Sequence, residues 1–337
     1  MDTINGNILE IHYWFNDRSH SMDAFVENKC EFEILGIIKE IANIYSVEIK
    51  IETEPTAEGG LRKWLKVVSK DENKNASITI AIIVALITTI LTTPIAKVSE
   101  KLIDKIFEDT EIQDLEKEKL RLEIEILKQE ASKKGIPIES NTIIKKKKSN
   151  FYEALEKYPK VDKVSFFVVD EDKIKISKEK VVNKHEFKNF VLVSDDLDPI
   201  EIESAVIEII SPVLKKGKYK WMGYFSGEPI SFNMQSKEFK ILVQNGEVEF
   251  KNGSSINCLL RIRKKIDNEG LEKIVGYDVV MVNHYFENEK SIETKEGRNK
   301  DKLKKMLKTK SICLMMKIIY LILDNSDSAH LQSAPNI

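Results

Sequence analysis

Apolar positions recur with different periods along the chain, and the changes of period divide it. Ile8–Phe15 is a mixed apolar run that reads as a strand. Over Ser21–Ala42, Phe25, Phe32, Leu35, Ile38 and Ile41 recur near helical spacing behind a capping Ser21, which predicts a helix. Val47–Ile51 alternates as a second strand, Glu58-Gly59-Gly60 is a turn, and Leu61–Val68 is a further short element. Residues 1–70 therefore read as a small α+β sensing domain. Val98–Glu130 is strongly helical and highly charged, with Leu102, Ile106, Leu115, Leu122 and Ile126 on an apolar side. Its heptad is broken, which excludes a clean dimeric coiled coil and leaves a charged amphipathic helix over 98–130. Gly135, Pro137 and the run Lys145–Lys148 make 131–150 a basic linker. Short β-type runs follow at Val164–Val169, Phe190–Val193, Phe239–Val243, Glu247–Phe250, Ile256–Ile262 and Tyr277–Asn283, with turn signals at Asn245-Gly246 and Asn252-Gly253. Pro199–Ile210 reads as a helix capped by Asp198. Residues 151–290 are thus expected to form a β-rich α+β ligand-binding domain, and 291–337 a basic, then apolar tail.

One stretch follows neither period. Ala76–Ala96 carries no charged residue and, at about 1.5 Å per residue, spans about 30 Å, the thickness of a bilayer's hydrocarbon core. It reads as a single transmembrane helix, kinked or ended by Pro94. Basic residues flank both sides, so the orientation stays open. Ser77, Ala81, Ala85, Thr88 and Thr92 share one face, where small residues and hydroxyls suit helix–helix contact or a pore lining. Two other placements explain the same apolarity: a buried helix in a soluble core, and a helix sequestered in a soluble oligomer and released on activation.

Composition changes this picture little. The 337 residues suit two or three domains, and a net charge of −2 implies no general attraction to nucleic acid or anionic lipid. Cys30, Cys258 and Cys313 are far apart, which argues against a zinc site or a disulfide framework. Met1–Glu10 lacks the basic start and apolar run of a secretory signal. Phosphate-loop, nucleophile-elbow, zincin and kinase motifs are missing, so no catalytic residues, metal or cofactor are expected. His12, Asp17, His20, Asp23 and Glu27 are the nearest approach to a catalytic set, and surface and capping duties explain them as well. The most suggestive cluster is Lys215–Phe225, where Lys218 and Lys220 interleave with Tyr219 and Trp221. Charge for phosphates beside flat rings for stacking is how single-stranded nucleic acid is held. Arg261, Arg263 and Lys264 add a second basic group. The alternative is an ordinary strand with its rings inward and its lysines outward.

The order of parts, with the segments HYWFNDRSHSMDAF and KYKWMGYFSGEPISFNM, resembles the channel-forming effector of the Hailong anti-phage defence system. That resemblance implies a homo-oligomeric, tetramer-like channel of the inner membrane, with its soluble domains mostly cytoplasmic. It also implies a nucleotidyltransferase partner that makes oligodeoxyadenylate, a single-stranded DNA that holds the channel shut until phage activity removes it. The expected outcome of opening is depolarisation of the cell. A membrane-tethered enzyme and an anchored adaptor without channel activity are the rivals.

Overall fold

Strand β1, Ile8–Phe15, is the middle of a five-stranded antiparallel sheet ordered β2-β3-β1-β4-β5. The other strands of this sheet are β2 (Ile49–Glu54), β3 (Leu61–Ser69), β4 (Val161–Val169) and β5 (Lys180–Asn183). In this computed structural model the described residues are 7–17, 21–54, 61–70, 76–97, 122–127, 129, 140–215, 217–287, 290–306, 310 and 315. The architecture is α+β, in two units: residues 1–195 with 266–273, and residues 196–265 with 274–337. The first unit absorbs residues 151–195, which the change of period assigned to the later domain, because β4 pairs with β1 along nearly its whole length.

Period-2 alternation gives the first sheet two faces. Leu9, Ile11 and Tyr13 of β1, with Val164, Phe166 and Val168 of β4, enter the main core. Ile8, Trp64, Phe167 and Val169 form a small cluster on the other face. Three helices supply the rest of the main core: α1 (Ala24–Ile44), α2 (Ala76–Thr92) and α3 (Thr142–Lys157). Helix α1 turns Cys30, Ile34, Ile37, Ile38 and Ile41 inward. Its cap is Asp23, not Ser21: the Asp23 carboxylate accepts from the backbone amides of Phe25 (2.9 Å) and Val26 (3.1 Å). Asp23→Ala should therefore destabilise this unit by about 1 kcal/mol in urea unfolding. An unchanged midpoint would show that the cap contributes nothing.

Helix α2 departs from the transmembrane expectation. It has 17 residues, about 25 Å at about 1.5 Å per residue, and no helix among the described residues is long and apolar enough to cross a membrane. The ring of Pro94 supplies no amide to continue the helix, and Ile95–Lys97 is a separate 3-10 turn. Ile80, Ile82, Ile83, Val84, Leu86, Ile87, Ile90 and Leu91 are all in the core, so the helix is apolar on every side because it is buried on every side. Ile124 and Leu127, from helical residues 122–127, belong to the same core. The rest of the predicted 98–130 helix, save 129, lies outside the described residues. The predicted linker is also corrected in part. From Thr142 it is helical, with Asn141 capping through a bond from the Ile144 amide (2.9 Å).

The second unit is a barrel-like sheet ordered β11-β10-β8-β7-β6-β9, closed by pairing of β9 with β10. Its strands are β6 (Asp196–Ser211), β7 (Trp221–Phe225), β8 (Glu228–Met234), β9 (Ser255–Ile266), β10 (Glu272–Glu287) and β11 (Lys290–Glu293). The segment read as a helix, Pro199–Ile210, is part of β6. Ala205, Ile207 and Ile209 are buried while Val206, Glu208 and Ile210 are exposed, a period of two that β-branched residues favour. Conversely, Phe239–Val243 lies in helix α4, Lys237–Gln244, capped by the Ser236 hydroxyl, with Phe239 and Val243 one turn apart on its buried side. Residues 295–306 of the predicted tail are helical, and its apolar part falls almost entirely outside the described residues.

Candidate functional site

The most unusual chemistry of the first unit is on α3. Lys146, Lys147, Lys148, Ser149 and Asn150 are consecutive and all buried. Long charged side chains are almost never fully buried unless partnered. The first two lysines have carboxylates: Lys146 reaches Asp195 at 2.7 Å, and Lys147 reaches Glu269 at 3.0 Å and Glu33 at 3.5 Å. Burial raises the Glu33 carboxyl above its ordinary value, and Lys147 and the Asn150 amide oppose that rise. Ser149 accepts from the Leu192 amide at 2.9 Å.

Lys148 is different. It is 1% exposed, and its amine donates to main-chain carbonyls at the end of α2: Thr93 at 2.9 Å and Ile90 at 3.3 Å. One turn along α3, the Tyr152 hydroxyl donates to the Leu91 carbonyl at 2.6 Å. The last carbonyls of any helix lack intrahelical donors, and a cation there meets the negative end of the helix dipole. Burial, with the like charge of Lys145 adding to it, pushes the Lys148 amine down to about 7. Helix α2 thus ends in a latch made of one amine and one phenol.

The proposed pore face falls inside this packing. Thr88 is buried, and its hydroxyl donates to the Val84 carbonyl (3.0 Å); that of Thr92 donates to the Thr88 carbonyl (2.8 Å). Both hydroxyls are satisfied within their own helix, the usual device for a Ser or Thr on an apolar helix. Ala81 is buried, Ala85 packs against the core, and the Ser77 side chain lies outside the described residues.

The basic-aromatic cluster is split by the sheet. Trp221 is 2% exposed and touches the rings of Phe232, Phe239 and Phe250, so it serves the barrel core. Tyr219 is 68% exposed, and Lys218 and Lys220 are exposed beside it. Arg261 pairs with Glu201 at 2.7 Å and Arg263 with Asp278 at 2.9 Å, across the sheet, and Lys264 lies opposite Leu197. Carboxylates therefore neutralise the two arginines locally. The exposed remainder, Lys218 to Lys220, is the part able to meet an anion.

Of the nearest catalytic set, Asp23 caps α1, Glu27 pairs with Lys63 at 2.8 Å, Asp17 pairs with Lys160 at 3.5 Å, and His20 lies outside the described residues. His12 is buried on the outer sheet face, its ring tilted against that of Trp14 with centroids 3.9 Å apart. Burial, with the charge of Arg62, pushes it down to about 4, so it is neutral at pH 7. Glu10 beside it accepts from the Trp64 indole at 2.8 Å and faces Arg62 at 3.7 Å. No group of three metal-ligating side chains is found among the described residues.

The second unit carries a feature that the sequence pattern does not show. Ser204, Asn257, Asn283, His284, Lys300 and Lys304 line an open groove of about 310 Å³. They come from β6, β9, β10 and helical residues 295–306, and only the closed sheet brings them together. Comparison with family models, with characterised proteins and with solved structures finds no match for this chain.

Proposed function

We propose that the protein is a regulated membrane effector whose working element is α2. The observation that carries this is the latch. A permanent core helix ends as well on a glycine cap or on water, without the cost of burying an amine. Here a buried lysine and a tyrosine tie the end of an uncharged helix, and such a tie is reversible. Freed, α2 offers about 25 Å of uncharged helix, which spans a bilayer that thins around it. In this reading several copies assemble, tetramers by the resemblance, and Thr88 and Thr92 face water. The regulator is a nucleotide or a single-stranded oligodeoxynucleotide meeting Lys218, Tyr219 and Lys220, with a nucleotidyltransferase as its source. A regulator shifts such a balance only by binding one state more tightly than the other.

All-round burial of α2 favours a second reading: a binding protein in which this helix never leaves the core. Ion flux across liposomes, with and without short oligodeoxyadenylate, separates the two. Flux that the oligonucleotide suppresses is the expected result. Absence of flux from protein shown to be inserted would leave an anchored adaptor, and failure to associate with vesicles would make α2 a permanent core helix.

A further inference from the structure

We propose that the groove of the second unit binds a free α-amino acid, at a site independent of α2 and of the oligonucleotide. Lys300 and Lys304 are one helical turn apart and present their ammonium groups on one side. Both converge on Glu203 of β6. Lys300 donates to the Glu203 carbonyl at 3.0 Å and stands 3.9 Å from its carboxylate, and Lys304 bonds the same carboxylate oxygen. Those lysines hold the Glu203 carboxyl below its ordinary value, Lys304 foremost. The Glu203 side chain thus occupies the position that an incoming carboxylate would take, between two cations at the edge of an open groove.

The second observation is Asn283. Its amide nitrogen is fully used, donating to the Glu203 carbonyl at 3.0 Å and to the Asn257 amide oxygen at 2.8 Å. Its own amide oxygen is buried without a hydrogen-bond partner, in a residue 6% exposed. An unmade bond on a buried oxygen costs about 1–3 kcal/mol. A ligand N–H donor removes that cost.

Charge decides the class of ligand. Lys300 and Lys304 are balanced by Glu203 and Asp301, so the groove has no net charge to attract a phosphate or a dicarboxylate. A zwitterion matches it: its carboxylate replaces Glu203 between the lysines, and its ammonium group takes the Asn283 oxygen with Asp301 as counter-charge. Phe286 leaves an apolar wall for the side chain.

Isothermal titration of the full chain with glycine, L-alanine, L-leucine and L-glutamate tests this, with acetate and methylamine as the two halves. Binding of at least one amino acid, with neither half binding alone, is expected. Glu203→Gln removes the internal competitor and should tighten that binding about tenfold, while Lys300→Ala/Lys304→Ala should weaken it by about tenfold or more. Glu203 and Lys304 are largely exposed and Lys300 is part-buried, so circular dichroism of each variant checks that it folds as the wild type does. Acetate binding as well as the amino acid would reduce the site to an anion patch and overturn the proposal. Silence of all four amino acids with both the wild type and Glu203→Gln would overturn it too.

Discussion

Trp221→Ala is expected to destabilise the second unit by about 3–5 kcal/mol, the range for truncating a large aromatic in a packed core. Three aromatic rings lie within 6.2 Å of the Trp221 ring by centroid distance, and each loses that contact when the indole is removed. Tyr219→Ala, two residues earlier and open to solvent, should stay within about 0.5 kcal/mol. Urea unfolding followed by fluorescence and by circular dichroism measures both. If Trp221→Ala unfolded at the wild-type midpoint while losing oligonucleotide binding, Trp221 would be a ligand contact after all. If Tyr219→Ala weakened oligonucleotide binding in a fully folded protein, the exposed half of the cluster would be the anion-binding half.

That pair of residues shows what was legible from the pattern and what was not. Interleaved lysines and rings at Lys218–Trp221 fit a stacking site and a strand entering a core equally well. Only the register of β7, with Trp221 opposite Phe232, decides which side each residue takes. Strand β1 was legible to the residue, because its apolar run is bounded by polar chain on both sides. Val164–Val169 was legible as a strand but its place in the first sheet was not, since β4 pairs with β1 across more than a hundred residues, β5 pairs with β4, and local period carries no record of partners. The uncharged Ala76–Ala96 stretch told of burial without naming the solvent, and protein core and lipid make the same demand of a helix. The run Lys145–Lys148 was the most misleading. Lysine density reads as a solvated patch, yet Asp195 takes Lys146, Glu33 and Glu269 share Lys147, and the carbonyls at the end of α2 take Lys148, all inside the fold. No spacing rule links those partners to it. The groove of the second unit was invisible for the same reason, its lining residues being drawn from four distant elements.

Acid should destabilise the first unit, and the sign follows from Lys148. In the unfolded chain its amine has a pKa of about 10.4, and in the fold it is pushed down to about 7. Between these values the unfolded state binds more protons, so stability rises with pH there, by up to about 1.4 kcal/mol per pH unit. The contribution is complete above the unfolded value and is lost as pH falls through about 7, where the buried amine gains its charge. Among the described residues no carboxylate pairs with Lys148: its amine meets the Thr93 and Ile90 carbonyls, the like charge of Lys145 lies on its own helix, and Tyr152 already bonds Leu91. Lys148→Met keeps the volume and the apolar stem but removes the titration. Urea unfolding of the first unit at several pH values from 6 to about 9.5 should show the wild type gaining about 3 kcal/mol across the range relative to Lys148→Met. Every other titrating group is common to both proteins and cancels in the difference. Parallel pH profiles would mean that the amine keeps its ordinary proton affinity in the fold. In that case water reaches it, and the end of α2 is not held by a desolvated tie.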